Sequence, residues 1–331
     1  MLSTVNSSSA IIPSARHPRS TSAALFAAVL VAIAARVAWR LYRGEPDFWA
    51  SGSPVFYDLA KNLVAGRGLG LEAADRAWCV PGYPLFLALA ILTGKSYLAI
   101  VVLEALAGAG TVLCAYLIGK ELFSGSIGLV AAFVTAIYPF YVFYDTSLQE
   151  SSLLTFLTAF SVFLLLRSRR ISTVVGWTVT GLALGAVVLT NQTLAPFAAG
   201  ALVWIFLFGE GTLHRKFDRL IAVAAPLCLV IGLWVARNYM TVGAPVLTSS
   251  FGRQLWNANN PNTFSHFPNA SLDRSSEDAL APLSREDQQD LDGISDEILK
   301  SDWFRDKAFD YMAEHPGETA WNAARKVLSA F

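Results

Sequence analysis

Seven apolar runs of about 20 residues divide this sequence, and they restrict what the chain can fold into more strongly than any other feature. A helix rises about 1.5 Å per residue, so a run of this length crosses the roughly 30 Å of hydrocarbon in a bilayer. We therefore predict an all-α polytopic membrane protein with about seven transmembrane helices. The runs lie near Thr21–Trp39, Tyr97–Gly119, Ser126–Tyr144, Ser152–Leu166, Thr173–Thr190, Leu194–Phe208 and Leu220–Ala236.

The composition agrees with this class and excludes others. Only 15% of the 331 residues are charged, whereas a soluble domain has about 25%. The formal net charge is zero, so nucleic acid is not an expected partner. The three cysteines are too few for a disulfide framework, and no spacing resembles a metal site.

The basic loops predict the orientation. Arg167–Arg170 and His214–Arg219 are the densest basic loops, and such loops stay in the cytoplasm. This places residues 1–20 in the cytoplasm as an N-terminal tail. Residues 21–237 then form a transmembrane domain with an external loop at 41–95, and residues 238–331 form an extracytoplasmic segment. The expected location is the cell (inner) membrane, with the functional site on the periplasmic or extracellular side.

The C-terminal segment is polar but has regularly spaced apolar residues, so we expect a small α-rich unit. The stretch "DWFRDKAFDYMAEHP" has helical spacing, with Asp302 as the predicted cap and Pro316 as the stop. The chain ends in "ARKVLSAF", the beginning of an amphipathic pattern. This ending predicts a chain shorter than its relatives.

The first external loop contains two further helical patterns. Phe56–Glu72 predicts an amphipathic outer-face helix that ends in a turn at Gly66 and Gly68. Pro81–Gly94 is apolar but too short to span a bilayer comfortably. It predicts a re-entrant or interfacial helix.

Acidic residues concentrate at the predicted outer face. An acid near a membrane span is costly unless it faces a cavity or a partner, so it marks a candidate site. For Asp145 and Glu150, helix capping is an equally good interpretation. Glu104 lies inside a span, and we expect it to pair structurally with Arg36. The other outer acids are Glu45, Asp47, Asp58, Glu72 and Asp75.

The order of several segments resembles the GT-C membrane glycosyltransferases. These segments are "YDLAKNLVAGRGLG", "VPGYPLFLALAILTG", "EALAGAGTVLCAYLIGKELF", "IGLVAAFVTAIYPFYVFYDTSLQESSLL" and "GLWVARNYMTVGAPVLTSSFGRQLWNANNP". The resemblance is to the PMT-2-like group, the bacterial relatives of protein O-mannosyltransferases and aminoarabinose transferases. It runs from about residue 36 to residue 261.

This resemblance implies a GT-C-like fold and transfer of a sugar from a polyprenyl-phosphate donor to a lipid, glycan or protein acceptor. A first-loop carboxylate, Asp58 or Asp47, would be the general base. Glu150, with Asp145, would line the same cavity. The phosphate would meet cations such as Arg237 and Lys61, with Arg67 and Arg253 as weaker candidates. The other candidate substrate-binding residues are Tyr57, Asn257 and Asn260.

The sequence departs from the family pattern in the first loop. The acid of the relatives stands four residues before a tyrosine like Tyr57, and Ser53 occupies that position. A non-catalytic or truncated relative is therefore an alternative, and a lipid or sugar transporter is another. No cofactor is indicated, although paired carboxylates are able to hold a divalent cation.

Overall fold

The structure, a computed structural model, describes residues 18–51, 53–71, 75–94, 96–269 and 272–329. Within these ranges every regular element is a helix, as predicted. The membrane part contains α1 (Pro18–Arg43), α2 (Glu45–Ser51), α3 (Pro54–Val64), α4 (Gly82–Ile91), α5 (Ser96–Leu122), α6 (Gly125–Ile137), α7 (Pro139–Tyr144), α8 (Ser151–Ile171), α9 (Val174–Thr190), a 3-10 turn (Gln192–Leu194), α10 (Ala195–Phe208) and α11 (Leu213–Val242). The C-terminal part contains α12 (Phe251–Ala258), α13 (Leu272–Ser275), a 3-10 turn (Ser276–Asp278), α14 (Arg285–Gly293), α15 (Glu297–Glu314) and α16 (Pro316–Ser329).

Each predicted span coincides with helical structure, and the protein is an all-α polytopic membrane protein. Among the described residues, four helices are long and apolar enough to cross a bilayer, namely those containing Thr21–Arg43, Tyr97–Leu122, Ser151–Ile171 and Leu213–Val242. The remaining predicted spans correspond to the shorter α6, α9 and α10. Most of the predicted N-terminal tail, residues 1–17, lies outside the described residues.

The prediction of one continuous helix over Ser126–Tyr144 is wrong, because the helix is interrupted before Pro139. Tyr138 has an extended backbone, with φ −61° and ψ 118°. Proline sterically disfavours the helical conformation of the residue before it, so α6 ends and α7 begins here. The break brings α7 against α1 and places Asp145 at the end of α7.

Helix α5 is the centre of one half of the bundle and packs against α1, α4, α6 and α8. Small residues allow these close contacts. A methyl group added at Gly119 would stand 2.8 Å from the Cα atom of Gly128 in α6. In the other half, a methyl group at Gly181 of α9 would overlap the backbone of Val223 in α11. The glycine-rich pattern therefore sets the distances between helices.

The first loop folds largely as predicted. Helix α3 ends in a turn where Gly66 and Gly68 have φ of +75° and +80°, a conformation that glycine adopts without strain. Helix α4 has ten residues and buries Tyr83 and Leu87. Helix α2, in contrast, was not predicted from the sequence.

The C-terminal segment is helical, but its main helix begins earlier than predicted. Helix α15 is capped by Asp296, whose side chain accepts from the amides of Ile298 and Leu299, both at 2.9 Å. Asp302 lies inside α15 and pairs with Arg305, so its prediction as the cap is wrong. Asp296 is the cap because it directly precedes the first turn of α15, where its carboxylate accepts hydrogen bonds from free N–H groups.

Gly252→Ala is expected to destabilise the C-terminal segment by about 1–3 kcal/mol, the usual cost of overpacking. The added methyl group would overlap the carbonyl of Ser301 in α15 and stand 2.9 Å from the amide of Arg305. Thermal unfolding in detergent measures the effect. Gly293→Ala is the matched control, because nothing lies within 4 Å of its added methyl group. Equal melting temperatures for the two variants would contradict the close α12–α15 contact.

Candidate functional site

A buried ion pair fixes the joint between α7 and α8 to the first helix. The Nε atom of Arg36 donates to Asp145 Oδ2 at 2.8 Å, and both residues are almost completely buried. Arg36 also donates to the carbonyl of Ala136, near the end of α6. The pair lies on Gly108, where a methyl group would stand 2.6 Å from Asp145 Oδ2. The side chain of Asp145 therefore anchors the joint to α1 and does not act as a helix N-cap.

The predicted base Asp47 is enclosed by cations. Arg40 and Arg43 both donate to its carboxylate from the end of α1. The hydrogen bonds from Arg43 and Arg40 lower the pKa of Asp47 to about 2. Arg40 also donates to the carbonyl of Thr146 at 3.2 Å. A carboxylate held in this way is a weak proton acceptor near neutral pH.

Glu104 has a different partner from the predicted one. Its Oε1 atom accepts from the hydroxyl of Tyr83 at 2.6 Å, whereas Arg36 pairs with Asp145. The expected Glu104–Arg36 pair is therefore wrong. Glu104 is fully buried, and its Oε2 atom has no hydrogen-bond partner among the described residues. The tyrosine satisfies one oxygen and links α4 to α5.

Glu150 stands at the start of α8 but does not cap it. Its side chain makes no cap hydrogen bond and instead accepts from Asn191 Nδ2 at 3.0 Å. Burial, together with the nearby charge of Glu150, raises the pKa of the Cys79 thiol to about 12. Glu150 thus occupies the N-cap position of α8, but the prediction that its side chain caps the helix by a hydrogen bond is wrong. The residue is partly exposed and faces the end of the first loop.

Ser53, the position at which the resemblance predicts an acid, lies at the same joint. The amide of Ser53 donates to the carbonyl of Leu148 at 2.8 Å, two residues before Glu150. Ser53 begins α3 as its N-cap residue, without a side-chain cap bond. Ser53 therefore lies beside the joint that carries Glu150.

Helix α3 presents a second candidate base to solvent. The side chain of Asp58 is half exposed and pairs with Lys61 at 2.8 Å. The ammonium of Lys61 also lies 4.9 Å from the ring centre of Tyr57, and this ring packs against Trp49 at 4.7 Å. Asn62 follows Asp58 by four residues, so the two side chains occupy one face of the helix, about 6 Å apart at Cβ.

A cationic cleft of about 400 Å³ lies beside this face of α3. Arg237, at the end of α11, stacks on Trp234 at 5.0 Å. It donates to the carbonyls of Arg76 at 2.7 Å and Leu69 at 3.2 Å. These acceptors are neutral, and the carboxylate of Glu297, within electrostatic reach, compensates only part of its positive charge. The cleft is lined by Asn62, Arg67, Leu69, Gly70, Leu71, Arg76, Arg237 and Thr241.

Glu297 holds the loop beside the cleft, a role that the sequence reasoning missed. Its Oε1 atom accepts from the amide of Arg76 at 2.9 Å, and its Oε2 atom accepts from the amide of Ala77 at 3.1 Å and the hydroxyl of Ser249 at 2.6 Å. By its position in the sequence, Glu297 is an acidic residue in the first turn of α15, where such residues are common. Only the fold reveals that it joins the C-terminal segment to the first loop.

The predicted asparagines lie away from the cleft. Asn260 is fully buried, and its amide donates to the carbonyls of Trp256 and Asn257 while its oxygen accepts from the amide of Asn262. Asn257 is partly buried in the same region. Asn257 lies in the last turn of α12, and Asn260 belongs to the turn that follows this helix.

Other acids of the first loop are less informative. Glu45 accepts from the indole of Trp49 at 3.1 Å, and Glu72 lies outside the described residues. Within the described ranges, no group of three or more histidine, cysteine, aspartate and glutamate side chains is arranged to hold a metal ion.

A comparison with protein families identifies the central part of the chain. Residues 79–235, just under half of the sequence, match the family model described as dolichyl-phosphate-mannose-protein mannosyltransferase. A comparison with curated proteins gives no match. The matched region runs from the end of the first loop to the last turns of α11. Over these residues the chain is similar to that family, which confirms the predicted resemblance to the PMT-2-like group.

Proposed function

We propose that the chain transfers a sugar from a polyprenyl-phosphate-linked donor to a hydroxyl-bearing acceptor at the outer face of the membrane. The cationic cleft is the observation that carries this proposal. It combines Arg67, Arg76 and Arg237 in a volume of about 400 Å³. Guanidinium groups bind phosphate by paired, charge-assisted hydrogen bonds. A cleft of this kind at the end of a membrane helix suits a phosphate attached to a lipid.

The reaction requires stabilisation of the leaving phosphate. The acceptor oxygen forms a bond to the anomeric carbon, and the bond from that carbon to the phosphate oxygen breaks. Negative charge grows on the departing phosphate, so fixed cations lower the barrier. Arg237 is already oriented by Trp234 and two carbonyls. It therefore meets the phosphate with little reorganisation.

The acceptor proton needs a base beside this cleft, and Asp58 occupies that place. It is half exposed and stands one helical turn from Asn62, which lines the cleft. Asp47, in contrast, is held by two arginines with its pKa lowered to about 2. Of the two first-loop candidates, we therefore assign the base to Asp58.

Glu150 is placed to form the opposite wall. The loop carbonyl of Arg76 contacts Arg237, and Cys79 lies within electrostatic reach of Glu150. Arg76 and Cys79 are three positions apart, so their Cα atoms are separated by about 11 Å at most even in a fully extended chain. The cleft and Glu150 thus flank one short segment. We assign Glu150 the role of orienting the acceptor, with Asn191 holding its carboxylate.

Arg237→Gln is expected to lower kcat/KM for sugar transfer by about 10- to 100-fold, the loss of one charged hydrogen-bonding group. The assay uses purified protein in detergent with polyprenyl-phosphate-linked sugars. Arg237→Lys retains the charge and should recover part of the loss. Arg253→Gln is the matched control, because Arg253 also stacks on an aromatic ring, Phe304 at 4.9 Å, but does not line the cleft. Full activity in Arg237→Gln would exclude the cleft as the phosphate site.

The alternative is a non-catalytic relative, and Ser53 is the observation that favours it. A serine replaces the family acid at the joint with Glu150. Absence of transfer by well-folded wild-type protein with every donor would support this alternative. Appearance of transfer in Ser53→Asp would then show that the remaining site is intact.

A further inference from the structure

A second cavity, of about 380 Å³, lies at the opposite end of the bundle from the joint at Glu150. It is formed where α8 turns into α9 and where α11 begins. Helix α9 has 17 residues and a length of about 25 Å, and its far end reaches Asn191, the partner of Glu150. The two sites are therefore separated by the length of a helix. The cavity is lined by Ser172, Val174, Trp177, Arg215, Asp218 and Arg219, with Ala222.

The walls of this cavity carry positive charge that the protein leaves uncompensated. Arg215 is exposed and makes no hydrogen bond or ion pair with any described residue. Arg219 lies over the ring of Trp177 at 5.9 Å and donates to the carbonyl of Glu210, a neutral acceptor. One acid, Asp218, is present, and two arginines against one aspartate leave one net positive charge. The cavity thus favours an anion.

Trp177 adds a polar group to the same wall. The side chain is 3% exposed, and its indole nitrogen has no acceptor among the described residues. A buried donor without a partner is energetically costly, so an acceptor on an occupant of the cavity would stabilise it. A tryptophan beside arginines at the end of a membrane helix is typical of the interface between lipid tails and headgroups.

The rim of the cavity is apolar beside α9. Val174 lines the cavity, and it and the adjoining Val175 are each more than 70% exposed, while Ile171, next to the lining residue Ser172, is also exposed. In a membrane protein such side chains face acyl chains. An occupant with both a negative headgroup and hydrocarbon tails satisfies the arginines and the rim together, whereas a soluble anion satisfies only the arginines.

From this juxtaposition of a cationic cavity and an apolar rim we infer that the end of the bundle formed by α8, α9 and α11 binds the headgroup of an anionic phospholipid. Basic pockets between membrane helices are suited to such headgroups. The site is independent of the sugar-transfer proposal, because it shares no residue with the cleft or with Glu150.

The test titrates purified full-length protein in detergent with short-chain phosphatidylglycerol, with phosphatidylcholine of the same chain length, and with inorganic phosphate. Binding is followed by native mass spectrometry and by the shift in melting temperature. We expect phosphatidylglycerol to bind at least tenfold more tightly than phosphatidylcholine. Each arginine near a lipid surface contributes about a factor of five, so Arg215→Gln should weaken phosphatidylglycerol binding about fivefold. Arg215→Gln combined with Arg219→Gln should weaken it about 25-fold.

Arg167→Gln is the matched control. Arg167 belongs to the same basic end of the bundle but pairs with Glu121 and lies outside the cavity. Unchanged binding in this variant separates a defined site from general attraction to a basic surface. Since Arg215 is exposed and has no described partner, Arg215→Gln is not expected to impair folding. Equal affinity for the two lipids, wild-type affinity in Arg215→Gln, or equal weakening in Arg167→Gln would each overturn the inference. Phosphate binding as tight as the lipid would replace the lipid with a soluble anion.

Discussion

Asp58→Asn is expected to lower the rate of sugar transfer by about 10²- to 10⁴-fold, the range that a positioned general base contributes. The substitution keeps the size of the side chain and removes its ability to accept the acceptor proton. Binding of the lipid-linked donor should change little, because the cations of the cleft remain. The loss should therefore appear in kcat, measured at saturating donor.

Asp302→Asn provides a matched control for this prediction. Asp302 is also about half exposed and also pairs with a cation three residues along its helix, Arg305, as Asp58 does with Lys61. It lies in the C-terminal segment away from the cleft. A loss confined to Asp58→Asn would assign the base, since both variants break a comparable surface ion pair. Wild-type rates in Asp58→Asn together with a loss in Glu150→Gln would move the base to Glu150.

The fold was predictable where the spacing of residues along the sequence determines the secondary structure. Apolar runs marked every membrane helix, and the glycines after α3 marked its end. Prediction failed where neighbouring residues compete. Pro139 interrupts the helix although the apolar run continues on both sides of it. Asp296 caps α15 in place of Asp302 because it stands directly before the first turn of that helix.

The site was only partly predictable, because its contacts join distant parts of the chain. Arg237 was identifiable as a cation at the end of a span. Its position beside Arg76 depends on Glu297, which is 221 residues from Arg76, and no spacing rule connects these residues. Asp145 was identifiable as an unusual acid, but its partner Arg36 lies 109 residues away. The sequence predicted Glu104 as the partner of Arg36, but helix packing places Glu104 against Tyr83 and Arg36 against Asp145.

The Arg36–Asp145 pair leads to the largest expected effect on stability. Asp145→Asn should reduce the free energy of unfolding by about 3–5 kcal/mol, the usual cost of removing one partner of a buried ion pair. The reason is that Arg36 is completely buried and a guanidinium cannot lose its proton in a protein. Its charge would remain without a counterion. Unfolding in detergent with increasing dodecyl sulfate measures the loss.

Arg36→Met should cost less than Asp145→Asn, because the abandoned carboxyl can take up a proton whereas the abandoned guanidinium cannot release one. The penalty of Arg36→Met should shrink further as the pH is lowered, because the abandoned carboxyl of Asp145 is then protonated at a smaller cost. Arg274→Met is the control, since its pair with Glu277 is exposed and worth at most about 1 kcal/mol. Equal, pH-independent losses for both core variants would mean that packing around Gly108, and not the charge pair, holds the joint that carries Glu150. The order of the two penalties thus decides whether electrostatics or shape positions the joint that carries Glu150.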